Sequence, residues 1–133
     1  MHELELLTGS FSIIKIDQIN HEVINLLKND NFTSITKTNN EISVVISSDN
    51  VDKICSLYTS IEPGFKAMRV VGQLNFNEVG ILESILKPLA ENNISVLTIS
   101  TYDTDYILVK ESSLTKAKST LEVGGFSFIN HMP

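Results

Sequence analysis

SITKTNNEISVVISS (residues 34–48) and TISTYDTDYILVKES (98–112) align without a gap when the sequence is shifted by 64 positions. In this alignment Glu41 stands opposite Asp105. Each segment has β-branched and aromatic residues on both sides of a short polar stretch, which is typical of two strands joined by a tight turn. The sequence therefore predicts two copies of a strand–turn–strand unit.

Further strand and helix patterns surround both copies. The strand patterns cover 10–16, 33–38, 41–47, 66–72, 94–101, 105–110 and 125–129. The clearest helix is predicted over 78–92, where Leu82, Ile85 and Leu89 recur with helical spacing. Other helices are predicted over 18–28, 50–60 and 114–122. Each copy thus becomes a βαββαβ unit.

A βαββαβ unit forms a four-stranded antiparallel sheet with both helices on one face, which is the ferredoxin-like plan. We therefore predict an α+β fold of two such units, residues 1–63 and 64–133. The first unit is expected to have a reduced opening helix, because its link between the first two strands is shorter. A cleft between the units would be the natural position for a ligand.

Composition excludes several classes of protein. The formal net charge is −6 and the pI is about 4.9, so no basic surface is predicted for nucleic acid. No apolar run is long enough to cross a bilayer. The N-terminus MHELELL lacks the basic and apolar regions of a signal peptide. Cys55 is the single cysteine, so no internal disulfide is expected. These features favour a cytoplasmic protein.

The acids Asp103 and Asp105 admit four readings: a metal loop, a catalytic pair, a pocket for a cationic ligand, or a hairpin turn. A calcium loop would need a glycine and a terminal glutamate that are absent here. No nucleotide-binding motif is present either. We therefore expect no metal, no cofactor and no enzyme activity. Asp103 with Thr104 suits a two-residue turn, whereas Asp105 opens the next strand and could point to either face.

The start of the 78–92 helix is a candidate site for an anion. Asn77 suits the N-cap of a helix that begins at Glu78, and Gly80 would then lie at the third helical position. Free amides at such an end suit a carboxylate. Two simpler readings stay open: Gly80 allows tight packing of the turn, and Glu78 is favoured by the helix dipole without any ligand.

The segment VGQLNFNEVGILESILKPLAENNISVLTISTYDTDYILVKESSLTKA (71–117) closely resembles the tandem ACT-domain proteins. These are small stand-alone bacterial proteins, related to the ACT modules of the cytosolic arginine sensors. The matching features are the glycine-led helix start at Gly80, the helix end PLAE and the block STYDTDY. In the first copy, TKTNNEISVV (36–45) also matches the family pattern.

The resemblance implies a regulatory module that binds an amino acid between domains and catalyses nothing. ACT units commonly pair, so a homo-oligomer is implied. The implied ligand contacts are Asn77, Glu78, Gly80, Ile81, Thr101, Tyr102 and Asp105, with Ser43 and Val44 from across the cleft. Glu78 and Asp105 would hold an amine or guanidinium while backbone amides hold the carboxylate, which favours a basic amino acid. The alternatives are an exposed turn aromatic for Tyr102 and, for the whole chain, an interaction or dimerisation module without a functional ligand site.

Overall fold

Eight strands and three α-helices follow one another within the part of the chain that the structure describes. The computed structural model describes residues 3–54, 58–72 and 79–129. The strands are β1 (Glu3–Leu6), β2 (Phe11–Ile16), β3 (Ser34–Lys37), β4 (Ile42–Ser47), β5 (Tyr58–Val70), β6 (Leu97–Ser100), β7 (Asp105–Lys110) and β8 (Ser127–Ile129). The α-helices are α1 (His21–Asn29), α2 (Ile81–Glu91) and α3 (Leu114–Val123), and short 3₁₀ helices cover Ser48–Ile54 and Glu111–Ser113. None of the helices within the described residues is long and apolar enough to cross a membrane.

Internal contacts divide the chain into two compact units. Gly9–Phe65 forms one unit, called the inserted unit below. Met1–Thr8 and Lys66–Pro133 form the other, called the split unit. The predicted boundary between residues 63 and 64 is close to the junction between residues 65 and 66. The first eight residues, however, belong with the C-terminal half, because β1 pairs with β5 and β8.

The inserted unit has the strand order β3-β4-β2-β5, with antiparallel neighbours throughout. Helix α1 connects β2 to β3, and the first 3₁₀ helix follows β4. Asn20 caps α1, since its side-chain oxygen accepts a hydrogen bond from the amide of Val23 at 3.2 Å. The buried core consists of Ile14, Ile16, Val23, Leu26, Ile42, Val44, Ile46, Val51 and Ile54.

The split unit has the strand order β6-β7-β5-β1-β8. Strand β1 lies between β5 and β8, antiparallel to β5 and parallel to β8. Helices α2 and α3 bury side chains in one core with the strands, so both cover the same face of the sheet. That core consists of Leu4, Met68, Val70, Ile85, Leu89, Ile94, Ile107, Val109, Ala117, Leu121 and Phe126. The predicted ferredoxin-like α+β class is confirmed, with β1 as an additional strand.

The helix predicted over 50–60 is wrong. A 3₁₀ helix ends at Ile54 and strand β5 has begun by Tyr58, while residues 55–57 lie outside the described residues. Val51 and Ile54 are buried three positions apart, which is the repeat of a 3₁₀ helix. The opening helix α1 has 9 residues against 11 in α2, as the predicted reduction requires. The second helix of the inserted unit is reduced further, because only the 3₁₀ helix Ser48–Ile54 follows β4.

The two hairpins repeat with a spacing of 63 residues, one fewer than the sequence alignment indicates. Asn39 begins the tip of the β3–β4 hairpin, where Lys37 pairs with Ile42. Tyr102 begins the tip of the β6–β7 hairpin, where Ser100 pairs with Asp105. A shift of one residue moves a strand's side chains to the opposite face of the sheet, so the core pattern selects the structural spacing. Glu41 is therefore the counterpart of Thr104, not of Asp105.

Candidate ligand-binding site

The β6–β7 hairpin turns at Tyr102 and Asp103. The amide of Thr101 donates to the carbonyl of Thr104 at 2.9 Å, which closes the turn around these two residues. The predicted tip, Asp103 with Thr104, is thus displaced by one residue. Thr104 is 5% exposed, and its hydroxyl donates to the carbonyl of Val70 at 2.8 Å. This buried hydrogen bond fixes the hairpin to the end of β5.

The Thr101 hydroxyl is committed to the turn. It accepts a hydrogen bond from the amide of Thr104 at 3.3 Å and donates to the carbonyl of the same residue at 3.0 Å. Thr38 makes the corresponding bonds in the inserted unit, where its amide donates to the carbonyl of Glu41 at 2.9 Å. A ligand could therefore contact Thr101 through its methyl group or backbone, since the hydroxyl already has partners.

One carboxylate oxygen of Asp105 accepts a hydrogen bond, and the other is available to a ligand. The Ser100 hydroxyl donates to Oδ1 of Asp105 across the strand pair. Within the described residues, Oδ2 of Asp105 accepts no hydrogen bond, and the residue is half-buried. Tyr102 is 73% exposed beside it, as the simpler reading of an exposed turn aromatic expects. Sequence reasoning missed Ser100, because an alternating strand pattern does not identify cross-strand partners until the register is known.

Gly80 precedes α2 in a left-handed backbone conformation, with φ of 88°. The helix begins at Ile81, so Gly80 is the N-cap residue and not the third helical residue. Its carbonyl accepts the first intrahelical bond, from the amide of Ser84 at 2.9 Å. A Cβ at this position would meet no atom of the described part of the chain within 4 Å. The backbone conformation thus explains the glycine, whereas the tight-packing reading does not.

The N-cap residue Gly80 has no side chain that could cap the start of α2, and no capping bond from another side chain occurs within the described residues. The first amides of an α-helix have no partner within the helix, so they can meet an anion or water. Ile81 is half-buried against the split-unit core. Asn77 and Glu78, the predicted cap and acid, lie outside the described residues.

Ser43 and Val44 belong to the inserted unit. Val44 is 1% exposed in its core, and its backbone pairs with Ile14 and Ile35 on the two neighbouring strands. Val44 therefore presents no side-chain surface to a ligand, contrary to expectation. Ser43 points to the opposite face and is half-buried. A period of two along the strand lets only one of two adjacent residues face a ligand.

The structure thus brings Thr101, Tyr102 and Asp105 together at the end of the sheet where β5 finishes. No three His, Cys, Asp or Glu side chains are grouped as metal ligands within residues 3–54, 58–72 and 79–129.

Residues 60–123 match a family model described as an ACT domain. The human "cytosolic arginine sensor for mTORC1 subunit 1" is 47% identical over 53 residues, covering 34% of this chain and 16% of the human protein. The bovine protein of the same name gives the same values. The chain thus spans only a small part of the length of these curated relatives.

Solved structures match nearly the whole chain. An X-ray structure of an Agobacterium tumefaciens protein has a TM-score of 0.83 and 29% identity, covering 99% of this chain and 95% of that one. The ligand-free regulatory subunit of aspartate kinase from Thermus thermophilus has a TM-score of 0.65 at 8% identity, covering 94% and 97%. Aspartate kinase from Clostridium acetobutylicum has a TM-score of 0.62 at 17% identity, covering 91% of this chain and 33% of that enzyme. At 8% and 17% identity the likeness concerns the fold alone. Residues 60–123 thus match the ACT domain, and the chain has the fold of ACT-type regulatory domains.

Proposed function

We propose that this chain is a non-catalytic, cytoplasmic regulatory protein made of two ACT-like copies, and that it binds an amino acid in the split unit. The binding site consists of the start of α2 and the β6–β7 hairpin. The observation that carries the proposal is the position of the ACT match: residues 60–123 include both of these elements. The protein acts as a homo-oligomer, as ACT-type units commonly do.

The chemistry at the hairpin favours a ligand with a basic side chain. Asp103 and Asp105 supply two carboxylates within three residues, and Asp105 has one oxygen without a hydrogen bond in the described residues. The first turn of α2, whose N-cap Gly80 has no side chain, suits the ligand's own carboxylate. Hydrogen bonds from a cationic ligand group to these carboxylates, and from backbone amides to the ligand's carboxylate, are charge-assisted and stronger than neutral ones. A protein 47% identical over its aligned segment is named an arginine sensor, so L-arginine is the first ligand to test.

The test is thermal unfolding of the full chain with each common amino acid, L-arginine first. A ligand present at a hundred times its dissociation constant stabilises by about 2.7 kcal/mol. For a domain of this size such a gain raises Tm by several degrees. Asp105→Asn preserves the side-chain shape and an acceptor for Ser100 but removes the charge, so it should abolish the rise in Tm. Asp52→Asn, at an exposed acid in the 3₁₀ helix of the inserted unit, should keep it.

The competing function is an interaction module without a ligand. Ile24 and Leu27 on α1 are 40% and 44% exposed, and such apolar surface favours association. This alternative predicts that no amino acid changes Tm, while sedimentation shows association that depends on concentration. An arginine-induced rise that persists in Asp105→Asn would also contradict the proposed site.

A further inference from the structure

The inserted unit contains a groove at the position that corresponds to the candidate site of the split unit. It has a volume of about 270 Å³ and lies between the end of β2 and the β3–β4 hairpin. The corresponding elements of the split unit are the end of β5 and the β6–β7 hairpin. Pockets for drug-sized ligands span roughly 300–1,000 Å³. This groove therefore suits a smaller molecule.

The groove has an apolar base and a charged rim. Ile16 and Ile42 line it and are 3% and 8% exposed, so they contribute a base that belongs to the core. Around them the groove is lined by two lysines and two acids, Lys15 and Lys37 with Asp17 and Glu41. All four charged residues are exposed.

None of these four side chains forms an ion pair or a side-chain hydrogen bond within the described residues. Both charge signs therefore remain available to a ligand. A molecule with a carboxylate and an ammonium group a few ångströms apart satisfies both signs, whereas a simple anion or cation satisfies one and faces repulsion from the other.

The start of α1 explains why lysines are needed here. In the split unit the N-cap of α2 is Gly80, which has no side chain to accept from the first amides of the helix. In the inserted unit Asn20 already caps α1 through its bond to the amide of Val23. Among the residues that line the groove, the cations available to a carboxylate are the ammonium groups of Lys15 and Lys37.

We propose that this groove is a second ligand site, which takes a small zwitterion of the neutral α-amino acid class. The lysines hold the carboxylate, Asp17 and Glu41 hold the ammonium group, and a short apolar side chain lies over Ile16 and Ile42. The proposal extends the proposed function, because it gives the chain two sites of different selectivity. The hairpin residues 101–105 contain two acids and no lysine, whereas the inserted-unit groove is balanced in charge.

The experiment is a titration of the ¹⁵N-labelled full chain with L-alanine, propionate and ethylamine, followed by amide chemical shifts. Propionate and ethylamine keep the short carbon skeleton of alanine but lack the ammonium and the carboxylate, respectively. We expect saturable shifts at the amides of Asn39, Asn40 and Glu41, with an affinity for alanine at least tenfold above that for either fragment. Lys37→Gln and Glu41→Gln should each weaken alanine binding at least fivefold. The control Lys53→Gln, at an exposed lysine outside the groove, should leave it unchanged.

Two outcomes would overturn the second site. One is the absence of amide chemical-shift changes at residues 39–41 with alanine at a 50-fold molar excess over the protein, about the range in which a site of millimolar affinity becomes saturated. The other is equal affinity for alanine and propionate, which would make the groove a simple anion site. The same spectra separate this proposal from the first one. Shifts at residues 101–105 with L-arginine report the split-unit site, so either site can fail while the other is retained.

Discussion

At residue 80 the backbone conformation, not the surrounding space, requires glycine. The φ of Gly80 is 88°, a region that L-residues other than glycine rarely adopt. A Cβ at this position would meet no atom of the described residues within 4 Å. The backbone angle, and not contact with those residues, is therefore what disfavours a larger side chain here.

Gly80→Ala should lower the free energy of unfolding by about 1–2 kcal/mol, because the left-handed conformation is unfavourable for alanine while no steric clash is added. Gly124→Ala is the matched control, since Gly124 has φ of −75° at the end of α3. The control should change stability by no more than about 0.5 kcal/mol. Urea unfolding of both variants measures this difference, and equal effects would show that the φ angle of Gly80 is not the cause.

The hairpin residues show what can be predicted at this scale. Residue types predicted a hairpin turn in this stretch, with its tip at Asp103 and Thr104, one residue beyond the observed tip at Tyr102 and Asp103. The burial of Thr104 is not predictable from residue type. Its hydroxyl donates to the carbonyl of Val70, which lies 34 positions away in the sequence. The sequence alignment also favoured Glu41 as the counterpart of Asp105. Hydrogen-bond register and the buried face decide which residues correspond, and a sequence alignment shows neither.

At the scale of elements, α2 continues through Pro88 without a break. Proline has no amide hydrogen, so the carbonyl of Ser84 loses its bond within the helix. The last turn is closed by Asn92, whose amide and side-chain nitrogen both donate to the carbonyl of Pro88, at 3.2 Å and 2.8 Å. The burial of Ile85 and Leu89 holds the helix on the sheet despite the missing bond.

Pro88→Ala should therefore raise the free energy of unfolding by about 1–3 kcal/mol, since an interior proline costs about 3 kcal/mol and the native helix accommodates part of that strain. Lys87→Ala changes the exposed neighbouring residue and should stay within about 0.5 kcal/mol of the parent chain. Chemical denaturation monitored by circular dichroism provides the measurement. A loss of stability in Pro88→Ala would mean that the proline ring contributes packing that outweighs the missing bond.

The elements that sequence reasoning identified best have one clear period and one buried face, as α2 does with Ile85 and Leu89. It failed at residues 50–60, where a short 3₁₀ helix and the start of a long strand together imitate helical spacing. Thr59, Ser60 and Ile61 suit a strand, but only pairing with β2 makes them one. Local patterns contain no information on that partner.

At the scale of the whole molecule, the N-terminal strand belongs to the C-terminal half. Leu4 is fully buried in the split-unit core and pairs with Val70 and Phe128 on the two neighbouring strands. Hydrogen bonds from Leu7 to Ala67 and from Val71 to Glu3, both 2.9 Å, extend the pairing of β1 beyond its ends. Four residues were too few for a strand to be recognised from sequence, and their partners lie more than 60 positions away.

Leu4→Ala should cost about 2–5 kcal/mol, the usual range for removing a buried leucine side chain. Native-state hydrogen exchange locates the effect, because the amides of β6, β7 and β8 should exchange faster. Ile14→Ala, at the equally buried Ile14 of the inserted unit, should instead accelerate exchange in β3 and β4. If Leu4→Ala accelerates exchange in β3 and β4 alone, residues 1–8 do not belong to the split unit.

The place of β1 between β5 and β8 sets an order for folding during synthesis. A ribosome releases the first eight residues long before the strands that flank them exist. Residues 9–65 are contiguous and can close their own sheet as soon as they emerge. The split unit must wait for β8, near the end of the described chain, before β1 has neighbours on both sides. Strand β1 is synthesised before both of its neighbours and is therefore among the last strands of the split unit to acquire its native pairing.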